Sequence, residues 1–473
     1  MAIGRWIVSN HAVPDISRFY YSATAGVGYD YSWLSQAILF GSHQLLGGAG
    51  PAILTAAVAG FVFYLLYKLL ERNSANMLVN LAVLCLALVT VTAYLSGRPA
   101  LFTVAFFSVE LLILSGWVAS RGQDRGVQSR GWLIWLIPPM VALWANLHPG
   151  FFVAPLLILL FLPLARNARG RLTLVACLAA TCAAIIFNPY GWRMYAMPLE
   201  MVRAIPLLRG LSEWHGVSGW EAVVWGGFVA LVATGLSLRR QPTAVLLLAA
   251  MAALAAGVSS RNMPLFGVVM VFILGRTVLP ILAPSFQRVG FIRKFDMKSS
   301  PGDRSASEAA GGWFWAIAVP LFLAGAVRLG VSPIDLEFDF SAYPAAAVRY
   351  IQQHDCPDRL FVRETWSGYV LWAMPSRQLF YDAKGGFSRE AAEGHSELVK
   401  PKEGWRGVAD RCGLQTFLLE RGSPLAVVLG ETSDWRREYS DSLSEVFVRV
   451  PAAQERAPGM SSGSGLSSDV QER

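Results

Sequence analysis

Apolar residues fall in long blocks separated by short polar segments over the first 330 residues. A helix that crosses the hydrocarbon core of a bilayer needs about 20 mostly apolar residues. The pattern predicts about ten membrane-spanning helices, several shorter than this, at 50–69, 78–95, 101–119, 132–147, 151–165, 172–188, 223–238, 243–258, 264–283 and 313–330. The stretch from Trp33 to Leu46 is apolar but short, and we interpret it as a helix lying at the membrane surface.

The pattern changes after Gly330, where polar and apolar residues mix. Segments typical of helices and strands alternate there, which predicts a small α/β domain over 334–450. We expect helices at 343–353, 405–412 and 425–429, and strands at 360–363, 378–382, 415–419 and 445–450. The run from Trp366 to Tyr369 is interpreted as part of the core followed by a loop. Residues 452–473 are rich in Ser, Gly and Pro, so we expect a disordered tail.

Composition narrows the class of protein. Hydrophobic residues make up 54% of the chain and charged residues 15%, whereas charged residues make up about 25% of an average soluble domain. This excludes an ordinary cytosolic enzyme, a disordered chain and a coiled coil. The net charge of +8 would suggest nucleic acid in a soluble protein. Here many arginines lie in short loops between apolar blocks and act as orientation signals, so we expect membrane lipids and no nucleic acid as partners.

Alternate loops differ in their content of Lys and Arg. The basic set lies near residues 68–72, 121–130, 166–171, 239–240 and 288–298, and these loops are predicted to be cytoplasmic. The N-terminal segment 1–48 and everything after the membrane domain 49–330 are then exterior. Because the first thirty residues lack a continuous apolar leader, we expect one more helix upstream of Met1.

Polar side chains gather at the predicted outer ends of the spans. The set comprises Asp15, Asp30, Arg98, Asn146, His148, Asn188, Tyr190, Arg193, Arg203, Arg209, Glu213 and Arg261. Guanidinium groups bind phosphate bidentately, and a carboxylate can take a proton from a hydroxyl. The set therefore favours a site for a phosphate-bearing lipid. The alternative is structural: Arg98 and Arg261 reach toward the interface, and His148 and Asn188 cap helices.

Other chemistry has little support in the sequence. Six scattered histidines show no metal-ligand spacing, and neither a phosphate loop nor a dinucleotide fingerprint is present. We therefore expect neither a metal nor a cofactor. Glu110 lies within the third predicted span, where a carboxylate usually faces the interior of the helix bundle. It is a candidate proton relay or ion-pair partner, or else it occupies a solvated cavity.

Several short motifs resemble a family. These are Gly-Arg-Trp-Ile (4–7), Tyr-Ser-Trp-Leu (31–34), Gly-Arg-Pro (97–99), Trp-Ala-Asn-Leu-His (144–148), Asn-Pro-Tyr-Gly (188–191), Ser-Glu-Trp (212–214), Arg-Asn-Met-Pro-Leu-Phe (261–266), Trp-Ser-Gly-Tyr (366–369) and Phe-Tyr-Asp (380–382). The chain resembles, up to about residue 450, poorly characterised bacterial membrane glycosyltransferases of the GT-C superfamily, relatives of the protein mannosyltransferases. The resemblance implies a multi-pass protein of the bacterial inner membrane with a periplasmic C-terminal domain.

The resemblance also implies a reaction. GT-C enzymes take sugar from a polyprenyl-phosphate carrier and use a carboxylate of the first exterior loop, where this chain has only Asp15 and Asp30. The lipid phosphate would contact Arg193, Arg203, Arg209 and Arg261. The residues that bind the glycan or protein acceptor, or shape its site, would be Arg98, Asn146, His148, Asn188, Tyr190 and Glu213. Two alternatives stay open: a non-catalytic envelope protein whose exterior domain binds glycan or a partner, and a lipid or glycan transporter.

Overall fold

The structure is a computed structural model that describes residues 1–22, 30–73, 76–91, 98–120, 131–200, 216–281, 340–381, 389–401 and 403–450. These residues form two compact units. The first holds the N-terminal helices, the apolar helices up to residue 281 and the segment 389–393. The second holds Phe19–Ser22, 340–381 and the described residues from Gly394 onward.

The first unit is built from helices. They are α1 (Ala2–Asn10), α2 (Trp33–Leu46), α3 (Ala49–Glu71), α4 (Met77–Val91), α5 (Ala100–Ser120), α6 (Ile137–Leu147), α7 (Val153–Phe161), α8 (Ala168–Ile185), α9 (Gly219–Leu238), α10 (Thr243–Val258) and α11 (Met263–Thr277). Each of the first nine predicted apolar blocks overlaps one of these helices, and the tenth, 313–330, lies outside the described residues. Helix α1 was not predicted.

Helix length sets how many of these segments can cross a bilayer. Five are long and apolar enough: Ala49–Glu71, Ala100–Ala119, Ala168–Ile185, Gly219–Leu238 and Ser260–Ile281. The apolar helices Met77–Thr90, Gly131–Leu147, Pro149–Leu164 and Thr243–Val258 are shorter. The described residues therefore indicate an integral membrane protein, but they do not reach the predicted ten spans. Prolines contribute to the shortness, since Pro138 and Pro149 start new helical segments, the position that proline tolerates.

Helix α11 forms the centre of the first unit. Its side chains from Phe266 to Leu274 are all buried, as expected for a helix that is apolar on every face. It packs against α3, α4, α9 and α10. Gly267 meets α4 at Thr90, where an added Cβ would lie 2.0 Å from the threonine Oγ1. The absent side chain thus allows the two helices to approach closely.

The second unit is an α/β domain, as predicted. Its described residues form four strands, β1 (Leu360–Val362), β2 (Thr416–Glu420), β3 (Trp435–Ser440) and β4 (Ser444–Arg449), in the order β1-β2-β4-β3. Strands β1 and β2 are parallel, and the β2–β4 and β3–β4 pairs are antiparallel. The helices are α12 (Ala345–Gln353), α13 (Glu364–Ala373), α14 (Arg389–Val399), α15 (Trp405–Arg411) and α16 (Pro424–Gly430).

Two details of this unit differ from the prediction. The segment 378–382 is not a described strand; Leu379 alone bridges to Leu360 and to Tyr20. No helix was predicted at the run from Trp366 to Tyr369, yet this part of the core lies inside α13, where Trp366, Val370 and Leu371 share the buried face. Strand β3 and helix α14 were missed, since the exposed Arg436 and Arg437 hide the alternation of β3.

Candidate functional site

Asn146 and Asn188 connect three parts of the first unit. The indole Nε1 of Trp33 donates to Asn146 Oδ1 over 2.9 Å, and Asn188 Nδ2 donates to the same oxygen over 3.3 Å. Asn146 Nδ2 donates to the carbonyls of Ala142 and Phe187, at 2.8 Å each. The start of α2, the end of α6 and the turn after α8 are thereby fixed to one another. We call Asp30, Trp33, Asn146, Asn188 and Tyr190 the outer network.

Tyr190 brings Asp30 into this network. The Tyr190 backbone N–H donates to Asn188 Oδ1 over 3.0 Å, and the Asp30 backbone N–H donates to the Tyr190 hydroxyl over 2.8 Å. Asp30 is only 5% exposed. Its Oδ1 accepts from Gln36 Nε2 at 2.7 Å and from the backbone N–H of Ser32 at 3.2 Å. The carboxylate therefore lies at the N-terminus of α2, where the helix dipole favours negative charge.

His148 has a defined tautomer. The backbone N–H of Gly150 donates to its Nδ1 over 3.1 Å, so this nitrogen is an acceptor. Thr103 Oγ1 lies 2.7 Å from the same nitrogen and accepts in turn from Trp144 Nε1 at 2.9 Å. His148 lies in the turn between two apolar helical segments, where burial and then the Arg261 guanidinium hold its pKa well below the usual range. The imidazole is therefore neutral, with its proton on Nε2.

Arg261 and Arg193 occupy short turns. Arg261 is half-buried in the turn Ser260–Asn262 between α10 and α11, near enough to His148 to interact with it electrostatically. Arg193 is exposed in the turn Gly191–Tyr195, three residues after Tyr190. Arg203, Arg209 and Glu213 lie outside the described residues. One cation thus follows the Asn188–Tyr190 turn, and another lies near His148.

Arg98 and Asp15 lie in other surroundings. Arg98 lies beside side chains of α2, α3 and α5, namely Leu39, Leu54, Thr55, Val58, Leu101 and Phe102. Asp15 is exposed, and its Oδ1 accepts from the Ser17 backbone N–H over 2.9 Å. It thus starts the turn Ile16–Arg18. Of the two acids proposed from the sequence, Asp30 is the one whose hydrogen bonds join the outer network.

Trp33, Thr103 and Gln36 are functional candidates that sequence reasoning did not select. Trp33 meets Asn146 across 113 residues and Thr103 meets His148 across 45. A single sequence carries no signal for such distant pairs. Gln36 could have been found, since it lies six residues after Asp30, one turn into α2. No group of three His, Cys, Asp or Glu side chains suited to a metal ion occurs among the residues described.

Comparisons with known proteins bear on the fold. No family profile matches the chain, and no curated protein sequence matches it. Solved structures do. An Archaeoglobus fulgidus oligosaccharyltransferase with a tethered acceptor peptide is similar over 95% of this chain and 69% of its own, at 10% identity and a TM-score of 0.51. The oligosaccharyltransferase AglB of the same organism, with an inhibitory peptide and dolichol-phosphate, is similar over 97% and 70%, at 10% identity and 0.53.

At such low identity, the likeness concerns the fold. It extends over nearly the whole chain, so it includes both the helices of the first unit and the α/β unit. The chain therefore has a fold similar to that of these oligosaccharyltransferases.

Proposed function

We propose that the protein is a membrane glycosyltransferase of the GT-C type. It would transfer a sugar from a polyprenyl-phosphate carrier to a glycan or protein acceptor on the outer face of the membrane. The fold supports a glycosyltransferase, and a structural neighbour carries dolichol-phosphate. The observation that carries the proposal for this chain is the buried Asp30 carboxylate, held by Gln36 and Ser32 and joined through Tyr190 to the outer network.

Asp30 is proposed as the base. The acceptor hydroxyl gives its proton to the carboxylate, and its oxygen forms a bond to the anomeric carbon of the sugar. The bond between that carbon and the phosphate oxygen breaks, and its electron pair leaves with the lipid phosphate. Because Oδ1 is oriented by two donors, the carboxylate is held in position before the substrate arrives.

The cations are proposed to hold the phosphate. Arg193 and Arg261 would neutralise the charge that develops on the leaving group, together with Arg203 and Arg209. Neutral His148 would donate from Nε2 to an acceptor or phosphate oxygen. Arg98, Asn146, Asn188, Tyr190 and Glu213 would shape the space around them.

The orientation rests on the charge of the loops. Since the basic loops are predicted to be cytoplasmic, the outer network would face the periplasm in a bacterial inner membrane, as would the α/β unit. The kinship with protein mannosyltransferases stays a prediction.

Native mass spectrometry of the full chain in mild detergent tests the carrier site, with added undecaprenyl phosphate as the probe. We expect a one-to-one adduct that is lost from the double variant Arg193→Ala/Arg261→Ala. The matched control is Arg169→Ala/Arg171→Ala, which removes the same charge from exposed positions at the start of α8.

An adduct that persists in the site variant, or that disappears equally in the control, would argue against the carrier site. Flux of lipid in proteoliposomes without any new glycosidic bond would instead favour a transporter.

A further inference from the structure

Two pairs of tyrosines lie partly exposed on the second unit. The ring centroids of Tyr343 and Tyr369 are 5.2 Å apart, and those of Tyr350 and Tyr439 are also 5.2 Å apart. His354 stacks on Tyr350 at 3.9 Å, with an angle of 17° between the rings. The four tyrosines are half-buried and His354 is exposed.

Helix α12 and Arg349 connect these rings into one strip. Tyr350 lies in the last turn of α12, and His354, four residues later, caps that helix, whereas Tyr343 lies in the turn just before it. Burial raises the pKa of Tyr369 and of Tyr439, and the Arg349 guanidinium opposes that rise in both. Arg349 therefore lies within electrostatic reach of both pairs. We call these five rings and Arg349 the aromatic strip.

The strip is not part of the core of the second unit. That core contains Phe361, Phe417 and Trp435, which are buried and pack on one another across the sheet. The strip instead combines half-buried tyrosine rings and the exposed His354 with polar groups beside them. The Tyr439 hydroxyl donates to Asp441 Oδ2 over 2.9 Å, and Tyr350 is hydrogen-bonded to Glu438.

This combination matches the chemistry of a sugar. A pyranose ring presents a face of C–H groups that packs on an aromatic ring, and hydroxyls around its edge that bond to guanidinium and carboxylate groups. A surface that packs on lipid chains needs only apolar groups, whereas Arg349, Glu438 and Asp441 place charge beside the rings. Two tyrosine pairs also offer stacking positions for more than one sugar unit.

We propose that the aromatic strip binds an oligosaccharide. The binding goes beyond the proposed transfer reaction, because it uses only the second unit and requires no bond to be made.

Saturation-transfer difference NMR on the full chain in detergent tests the proposal, with chitohexaose, mannohexaose and maltohexaose as probes. We expect at least one of them to bind at millimolar concentration. Tyr350→Ala and Tyr439→Ala should each weaken it about tenfold, the loss expected for one stacked ring. Tyr350→Phe should retain binding, because it keeps the ring.

The control is Val427→Ala, which trims an exposed apolar side chain of α16 in the same unit. It should leave binding unchanged, and thermal unfolding of each variant checks that the unit is still folded. The proposal is overturned if none of the three oligosaccharides binds or if the folded alanine variants bind as well as the wild type. Loss of self-association in those variants, without loss of sugar binding, would make the strip an interface between copies. Because the readout is binding, its failure leaves the transfer reaction untouched.

Discussion

Asp30 and Asp15 belong to the same N-terminal segment but have different surroundings. Asp30 is buried and oriented by Gln36 and Ser32, whereas Asp15 is exposed and caps its own turn. A general base acts through its position as well as its charge.

We expect Asp30→Asn to lower sugar transfer at least about 100-fold, since general-base catalysis contributes roughly that much. Asp15→Asn should leave transfer near the wild-type rate. Product formation from a polyprenyl-phosphate sugar, measured with both variants at equal membrane abundance, decides between them. Equal losses, or a loss with Asp15→Asn alone, would remove Asp30 from the role of base.

His148 links protonation to stability. Burial and Arg261 lower its pKa in the folded state, so the unfolded chain binds a proton that the folded one resists. Above the unfolded pKa of about 6.5, this difference in proton binding does not change the free energy of unfolding. As the pH falls below that value, protonation of the unfolded chain lowers the free energy of unfolding. We expect up to about 1.4 kcal/mol of lost stability per pH unit there.

Thermal unfolding from pH 7.5 to 5.5 measures this effect. His148→Gln should flatten the profile, while His11→Gln, at an exposed position, should not. The same acid dependence in both variants would show that another group is responsible.

Glu110 is a buried acid that the proposed reaction does not use. It has no exposed surface, and neither carboxylate oxygen has a hydrogen-bond partner in the described part of the chain. The Cys177 thiol lies within electrostatic reach of it. An unpaired charge within a membrane helix costs several kcal/mol, so we expect the neutral acid there.

Glu110→Gln should therefore change stability by less than about 1 kcal/mol, and Glu110→Ala should cost about 2 kcal/mol or more through the cavity it leaves. Denaturation in detergent compares the two variants. A glutamine variant as unstable as the alanine variant would indicate a charged Glu110 with an essential partner.

At the scale of elements, close helix contacts depend on small residues. At Gly267 a Cβ would collide with Thr90, whereas at Gly227 within α9 nothing lies within 4 Å. We expect Gly267→Ala to destabilise the protein by about 1–3 kcal/mol through overpacking. Gly227→Ala should instead be neutral or stabilise α9 by up to about 1 kcal/mol. Unfolding of both variants in one detergent checks the difference, and equal behaviour would contradict the observed packing.

Element positions were largely predictable where the apolar pattern was strong. Helix α2 occupies the predicted range, and Gly47, with a φ of 60°, follows its last residue. Strand β3 was missed because its exposed arginines break the alternation. The segment 378–382, predicted as a strand, is not a described strand, since Leu379 forms only isolated bridges to Tyr20 and Leu360. The site was predictable as a set of residue types. The hydrogen bonds from Trp33 and Asn188 to Asn146 were not, because they join residues more than forty positions apart.

At the scale of the whole molecule, the architecture is an apolar helical unit joined to an α/β unit, in a fold similar to that of oligosaccharyltransferases. The alternation of apolar blocks was enough to predict the first unit, and the change in pattern after Gly330 was enough to predict the second. The sequence pattern gave no indication that Phe19–Ser22 belongs to the second unit. These residues look like part of a polar N-terminal segment, and their partners lie near the other end of the chain.

That segment has a consequence for biosynthesis. The Leu379 backbone N–H donates to the Phe19 carbonyl, and the Tyr21 hydroxyl reaches the Leu360 carbonyl, 339 residues farther along the chain. A ribosome adds about 5–20 residues per second. Phe19–Ser22 therefore leaves the ribosome tens of seconds before its partners are translated, and the second unit can be completed only after the apolar helices between them have been synthesised.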